Sequence, residues 1–178
     1  EIEIRCGEEL VENRVRYQMR CGCDYQEFWT LSGNEKDVVQ FYDYKAFRYV
    51  EVKGAEDTIN PDSFTAVVRH YFLKEKSCQF NSSNKMLNQV WDICKRGVKY
   101  GSQEGFLDCP SREKGQYLGD ATVTGHSHIY ISGDLRLYKK AIKDFALSTF
   151  ISSGMMAVAP GSQMQEIGDY SLQWPLQL

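Results

Sequence analysis

"NSSNKMLNQVWDICKRGVKYG", residues 81–101, decides how the chain is divided. Its first five residues, 81–85, supply Ser and Asn side chains able to accept from the free N–H groups of a first helical turn. Behind them Leu87, Val90, Trp91, Cys94 and Val98 fall at i, i+3, i+4, i+7 and i+11. That spacing is one stripe of an α-helix, and Gly101 is the expected stop. Upstream the pattern is different. "VVQFYDY" (38–44), "FRYVEVKG" (47–54) and "FTAVVRHYFL" (64–73) are rich in β-branched and aromatic residues, and Phe47–Val52 alternates with the two-residue period of a strand. "KGAEDTINPDS" (53–63) reads as a turn-rich connector. Residues 1–77 are therefore expected to be β and residues 78–178 helical.

Downstream, a weaker helical segment is expected over 119–131. Gly125 within it costs about 1 kcal/mol relative to Ala and so points to a close helix contact. A second strong helix follows "SGD" (132–134). There Tyr138, Ala141, Ile142, Phe145 and Thr149 form the apolar stripe, and Lys139, Lys140 and Lys143 take the outer face. Residues 155–162 read as apolar and irregular, and a fourth helix is expected from near Asp169. Helices that each bury one stripe need neighbours on both sides. The chain also opens at Glu1 without Met, on an acidic polar stretch to Glu9, and stops at "SLQWPLQL". It is expected to be a portion of something longer.

Composition narrows the function classes. The 178 residues carry 21 basic and 24 acidic side chains, a net charge of -3, with the lysines dispersed. No basic stripe of the kind that tracks nucleic acid is present, and no apolar run has the length of a membrane span. No dinucleotide fingerprint or phosphate loop occurs, so no cofactor is expected. An aromatic content of 13% suits either a sugar cleft or sheet packing. The cysteines at 6, 21, 23, 78, 94 and 109 match no zinc spacing and are expected to be mostly plain thiols, with a disulfide left open. His126 and His128 lie two apart, on different faces of a helix; one half-buried and one exposed histidine are expected, with no metal. Trp29 and Trp91 read as packing residues.

The chemistry concentrates in "LDCPSREKGQYLGD", residues 107–120. Pro110 restricts Cys109 to extended backbone, so Asp108 leaves on a defined path. Asp120 falls just inside the next helix, where the dipole favours an ionised carboxylate. Glu113, if shielded and close to like charges, would hold its proton to higher pH. Such a division suits glycosidic cleavage, which needs one carboxyl to protonate the leaving oxygen and ionised carboxylates around the sugar. It equally suits a solvated acidic loop at a helix start.

"DCPSREKGQYLGD" (108–120) resembles the signature of the bacterial α-L-rhamnosidase family. "YDYKAFRYVEVKG" (42–54) is similar to that family's last strands before its catalytic domain, "CQFNSSNKMLNQVW" (78–91) to its entry into the first barrel helix, and "IGDYSLQWP" (167–175) to a later segment at a barrel helix start. These pieces come in the family's order. The resemblance implies the C-terminal part of a β-sandwich domain over 1–77 and the N-terminal portion of an (α/α)6 barrel over 78–178. It implies release of terminal α-L-rhamnose with inversion. Glu113 then matches the general acid, Asp108 and Asp120 acids that hold rhamnose hydroxyls, and Arg112 the arginine that organises the loop. Tyr117 stands where many members have tryptophan. Asp169 and Trp174 match a segment near the cleft. Inversion also needs a base on the opposite face, about 6.5–9.5 Å from the acid. In the family this is a glutamate on a late barrel helix beyond Leu178; Glu166, the local candidate, has no matching role. Residues 1–178 alone are thus expected to be inactive, with a rhamnose-containing carbohydrate and the remainder of the same polypeptide or barrel as partners. The compartment is not legible: cytoplasmic and exported members both exist. Two other readings remain, a carbohydrate-binding or structural portion without catalysis, and another (α/α)6 enzyme with a different sugar preference.

Overall fold

The computed structural model describes residues 1–38, 40–54, 59–74 and 76–178. A β-sheet region is followed by helices. The chain forms two compact units, one of residues Glu1–Val68 with Pro110–Glu113, the other of Arg69–Cys109 with Lys114–Leu178.

In the first unit, strand β1 (Ile2–Gly7) is central. Two short strands follow, β2 (Leu10–Val11) and β3 (Arg14–Val15), then β4 (Gln26–Trp29) and β5 (Tyr49–Lys53). The main sheet has the order β4-β1-β5 and is antiparallel, with Ile4 opposite Glu27 on one side and Val52 on the other. Ile2, Ile4 and Cys6 are buried while Glu3 and Arg5 alternate with them, so a strand needs only every second residue to be apolar. Tyr25 completes this small core. β2 and β3 join through Glu12 and Asn13, both with positive φ, the backbone a two-residue hairpin turn requires.

The acidic polar opening stretch thus lies within the region expected to be β and supplies its middle strand. Conversely, the runs 38–44 and 64–73 form no strand among the described residues. Val67 is 95% exposed and Val68 63%. Tyr71, Leu73 and Phe41 still pack, but the runs find no strand to complete a ladder among the described residues, and propensity alone does not make a strand. Val39, inside the first run, and Ala55–Thr58, inside the expected connector, lie outside the described residues. The rest of the connector holds a 3-10 turn, Pro61–Ser63, capped by Asn60.

The second unit holds α1 (Lys85–Gly101), α2 (Leu118–Ser132), α3 (Arg136–Ala146), the hairpin strands β6 (Ala157–Ala159) and β7 (Gln163–Glu166), and the short α4 (Gly168–Ser171). Asn84 caps α1, its Oδ1 accepting from the N–H groups of Met86 and Leu87 at 3.0 and 3.3 Å. Leu118 and Ala121 of α2 pack with Leu137, Tyr138, Ala141 and Phe145 of α3 around Phe106 and Met156. Gly125 marks the close contact expected of it, since a Cβ there would run into the Tyr138 ring. α3 ends at Ala146, so Thr149 falls outside the helix; its hydroxyl donates to the Ala146 carbonyl at 3.2 Å. The stretch expected to be irregular at 155–162 instead supplies β6, whose three residues are fully buried. All six cysteines are free thiols. No helix of the described residues is long and apolar enough to cross a membrane.

Candidate active site

The loop that carries the acids is closed at its base by Asp108. Its backbone N–H donates to the Gly115 carbonyl, and its Oδ1 accepts from the Gly115 N–H, both at 2.9 Å. Asp108 thus spends one carboxylate oxygen on shape. Lys114 is left-handed with φ 53°, which strains a residue bearing a Cβ. Gly115 follows because a Cβ there would lie 2.6 Å from the Tyr117 ring. Gln116 fixes the next step: its Oε1 accepts from the Phe106 N–H at 3.3 Å and its Nε2 donates to Asp144 of α3 at 3.2 Å.

Between these residues, Pro110–Glu113 belong to the first unit. There Ser111 is buried. Its carbonyl accepts from the Tyr25 hydroxyl at 2.7 Å, and its own hydroxyl donates to Glu8 at 2.6 Å. Arg112 reaches the Cys21 sulfur at 3.9 Å. Glu113 is exposed.

Asp120 lies in the first turn of α2, as its position in sequence implied. Beside it, Gly119 gives room to the Tyr170 ring, whose Cζ would be 2.9 Å from a Cβ at 119. Burial pushes the Tyr170 hydroxyl up from its ordinary pKa, and the charges of Asp120, Asp169 and Asp108 push it further the same way. The fold therefore brings three of the acids singled out in sequence to bear on one phenol. Asp169 is exposed in the first turn of α4. Tyr170 was not singled out, although it adjoins Asp169 in "IGDYSLQWP"; its signal was an aromatic ring next to an acid at a helix start. Trp174 sits differently: its indole N–H donates to the Ile142 carbonyl at 3.1 Å and its ring packs against the core. Glu166 accepts from the Ser152 N–H at 2.8 Å, tying a turn to β7.

The histidines correct their expected burial. His128 is fully buried rather than exposed, against the rings of Tyr71 and Phe106, with Nδ1 3.4 Å from the Ser102 hydroxyl. Burial pulls its pKa down, opposed by the charge of Asp134. His126 is half-buried against Tyr138. Trp91 and Trp29 do pack on rings, Trp91 with Phe80 at 5.3 Å and Trp29 with Phe41 at 5.8 Å.

A β-sheet region leads into helices, with an acidic loop before the second of them. Two family models match. One, described as the bacterial alpha-L-rhamnosidase 6 hairpin glycosidase domain, covers residues 75–177. The other, the bacterial alpha-L-rhamnosidase concanavalin-like domain, covers residues 1–70. The chain belongs to the bacterial α-L-rhamnosidase family. It is also similar to an alpha-L-rhamnosidase of Formosa agariphila, 28% identical over 138 residues, which are 78% of this chain and 13% of that protein. The match thus spans only a small part of that curated relative's length. No solved structure matches the chain.

Proposed function

We propose that the chain is part of an inverting α-L-rhamnosidase, and that Glu113 is its general acid. In this reading residues 1–77 are the end of a β-sandwich domain and residues 78–178 the first helices of an (α/α)6 barrel. Glu113 protonates the departing glycosidic oxygen. Asp108 and Asp120 hold rhamnose hydroxyls, and Asp108 does so with the carboxylate oxygen left over from loop closure. Arg112 orders the loop, Tyr117 offers a smaller stacking face than tryptophan, and Asp169 borders the sugar. Trp174 acts by supporting this border from the core rather than by touching sugar. The water-activating base comes from outside residues 1–178.

The observation that carries the reading is the family match over residues 75–177, within which Asp120 and Asp169 each adjoin a partner of the Gly119–Tyr170 contact. Carboxyl groups beside a half-buried aromatic ring suit a polyhydroxyl ligand, which offers donors to the acids and C–H faces to the ring.

The test uses the complete parent protein with an aryl α-L-rhamnoside. Glu113→Gln should lower turnover by roughly 10²–10⁴-fold, the usual contribution of a general acid, and NMR of the first product should show the β-anomer. The 178-residue chain by itself should give no turnover. The exposure of Glu113 favours one alternative, a sugar-binding portion whose acids serve only to hold ligand. A complete protein that binds rhamnose but leaves the aryl rhamnoside intact would establish that alternative.

A further inference from the structure

Cys21-Gly22-Cys23 forms a tight turn that the hydrolase reading does not use. Cys21 has φ 60° and ψ 28°, and Gly22 has φ 69°. The Cys23 N–H donates to the Arg20 carbonyl at 3.3 Å, while the Met19 N–H donates to the Cys23 carbonyl at 2.8 Å. The flanking bridge between Gln18 and Asp24 makes the segment a small hairpin. A left-handed position of this kind is comfortable for Gly, Asn or Asp and strained for cysteine. The backbone therefore gives no reason for a thiol at 21.

The sulfurs face one target. The Cys23 thiol donates to the Ser111 carbonyl at 3.7 Å, and the Cys21 sulfur accepts from Arg112 Nη1 at 3.9 Å. Both contacts address adjacent residues of the Pro110–Glu113 segment, within the first unit. Cys21 is exposed and Cys23 half-buried, whereas Cys6 is buried and its thiol is pushed up to about 11, chiefly by burial. Thiolate character and access decide which thiols exchange, so the turn pair is favoured over Cys6. Two residues span at most about 7 Å even when fully extended. A turn is shorter still, and disulfides adopt a Cα separation of about 4.4–6.8 Å.

We propose that Cys21 and Cys23 are a redox-sensitive dithiol, which closes to a disulfide by exchange with a low-molecular-weight disulfide and so removes the thiol hydrogen bond to the Ser111 carbonyl. The Cys21 thiolate attacks a sulfur of the small disulfide, forming a mixed disulfide and expelling one small thiolate. The Cys23 thiolate then attacks the Cys21 sulfur and expels the second. Two electrons pass from the pair to the small disulfide, and the two protons end on the two small thiols. The closed pair has no S–H to give the Ser111 carbonyl, which keeps the Tyr25 hydroxyl, while the Ser111 hydroxyl stays on Glu8. The pair's oxidation does not depend on whether the chain acts on rhamnosides.

The experiment equilibrates the 178-residue chain in mixtures of oxidised and reduced glutathione, then alkylates and digests it. Residues 21–36 lie between the tryptic sites Arg20 and Lys36 and carry both thiols. That peptide should appear two hydrogens lighter, with no glutathione attached, before the Cys6 peptide changes. Native tryptic nicking after Arg112 should be about 3-fold faster in the oxidised chain, as expected for loss of one weak hydrogen bond. The conservative variants Cys21→Ser and Cys23→Ser should show no further acceleration with oxidised glutathione. Only mixed disulfides at 21 or 23, or a closed pair with unchanged nicking, would overturn the proposal.

Discussion

α1 and α3 carry the same amphipathic spacing and meet opposite fates. On α3, Leu137, Tyr138, Ala141 and Phe145 are buried, and the lysines at 139, 140 and 143 are exposed. On α1 no residue is buried; Met86 is 66% exposed, Ile93 67%, and Leu87 and Val90 47% each. Trp91 finds only the Phe80 ring to stack on. The difference teaches that a 3.6-residue stripe specifies a helix and a face, while the cover of that face is a separate matter. α3 has its cover in α2 and the segment around Met156. α1 is capped by Asn84 and meets α2, which leaves most of its apolar stripe open.

That contrast can be broken or sharpened by substitution, read out by urea unfolding of the chain. Phe145→Ala should have the largest effect, a loss of about 3–5 kcal/mol, because it empties a fully buried ring site. A loss under about 1 kcal/mol would show that the α3 face is no better covered than that of α1. Gly125→Ala should come next. The added methyl gains about 1 kcal/mol of helix propensity, but it runs into the Tyr138 ring. The net result should be a destabilisation of roughly 1–3 kcal/mol, the usual cost of overpacking. A more stable variant would mean that the ring yields freely. Asn84→Ala removes the acceptor for two N–H groups of α1 and should cost about 1 kcal/mol. Leu87→Ala on the open face of α1 should cost under about 0.5 kcal/mol. A cost above 2 kcal/mol would reveal a cover on α1 within the chain itself.

Legibility in the sequence followed the same division. α1, α2 and α3 were readable to within a few residues, since their stripes and caps are local. The centre of the sheet was not. Ile2, Ile4 and Cys6 carry a period of two, but the stretch was not singled out as a strand within the β region, and its partners, 26–29 and 49–53, are distant in sequence. The runs at 38–44 and 64–73 failed for the converse reason, having the composition without a pairing strand among the described residues. Within the candidate site, the position of Asp120 at a helix start was legible from local rules. The use of Asp108 to close its own loop, and the convergence of three acids on Tyr170, depend on contacts between segments up to 62 residues apart, from Asp108 to Tyr170.

Four residues in the middle of the signature loop, Pro110–Glu113, are counted with the strands and not with the helices that flank them. Ser111 is held there by Tyr25 and Glu8, roughly a hundred positions earlier. A gene segment that encoded only the helical part would therefore carry the signature intact as text while leaving its anchors behind. Shuffling of such segments between relatives should succeed only when both stretches come from the same parent, or from parents that agree at these anchors. The unit of inheritance here is a pairing of distant positions, and no single cut in the chain can isolate it.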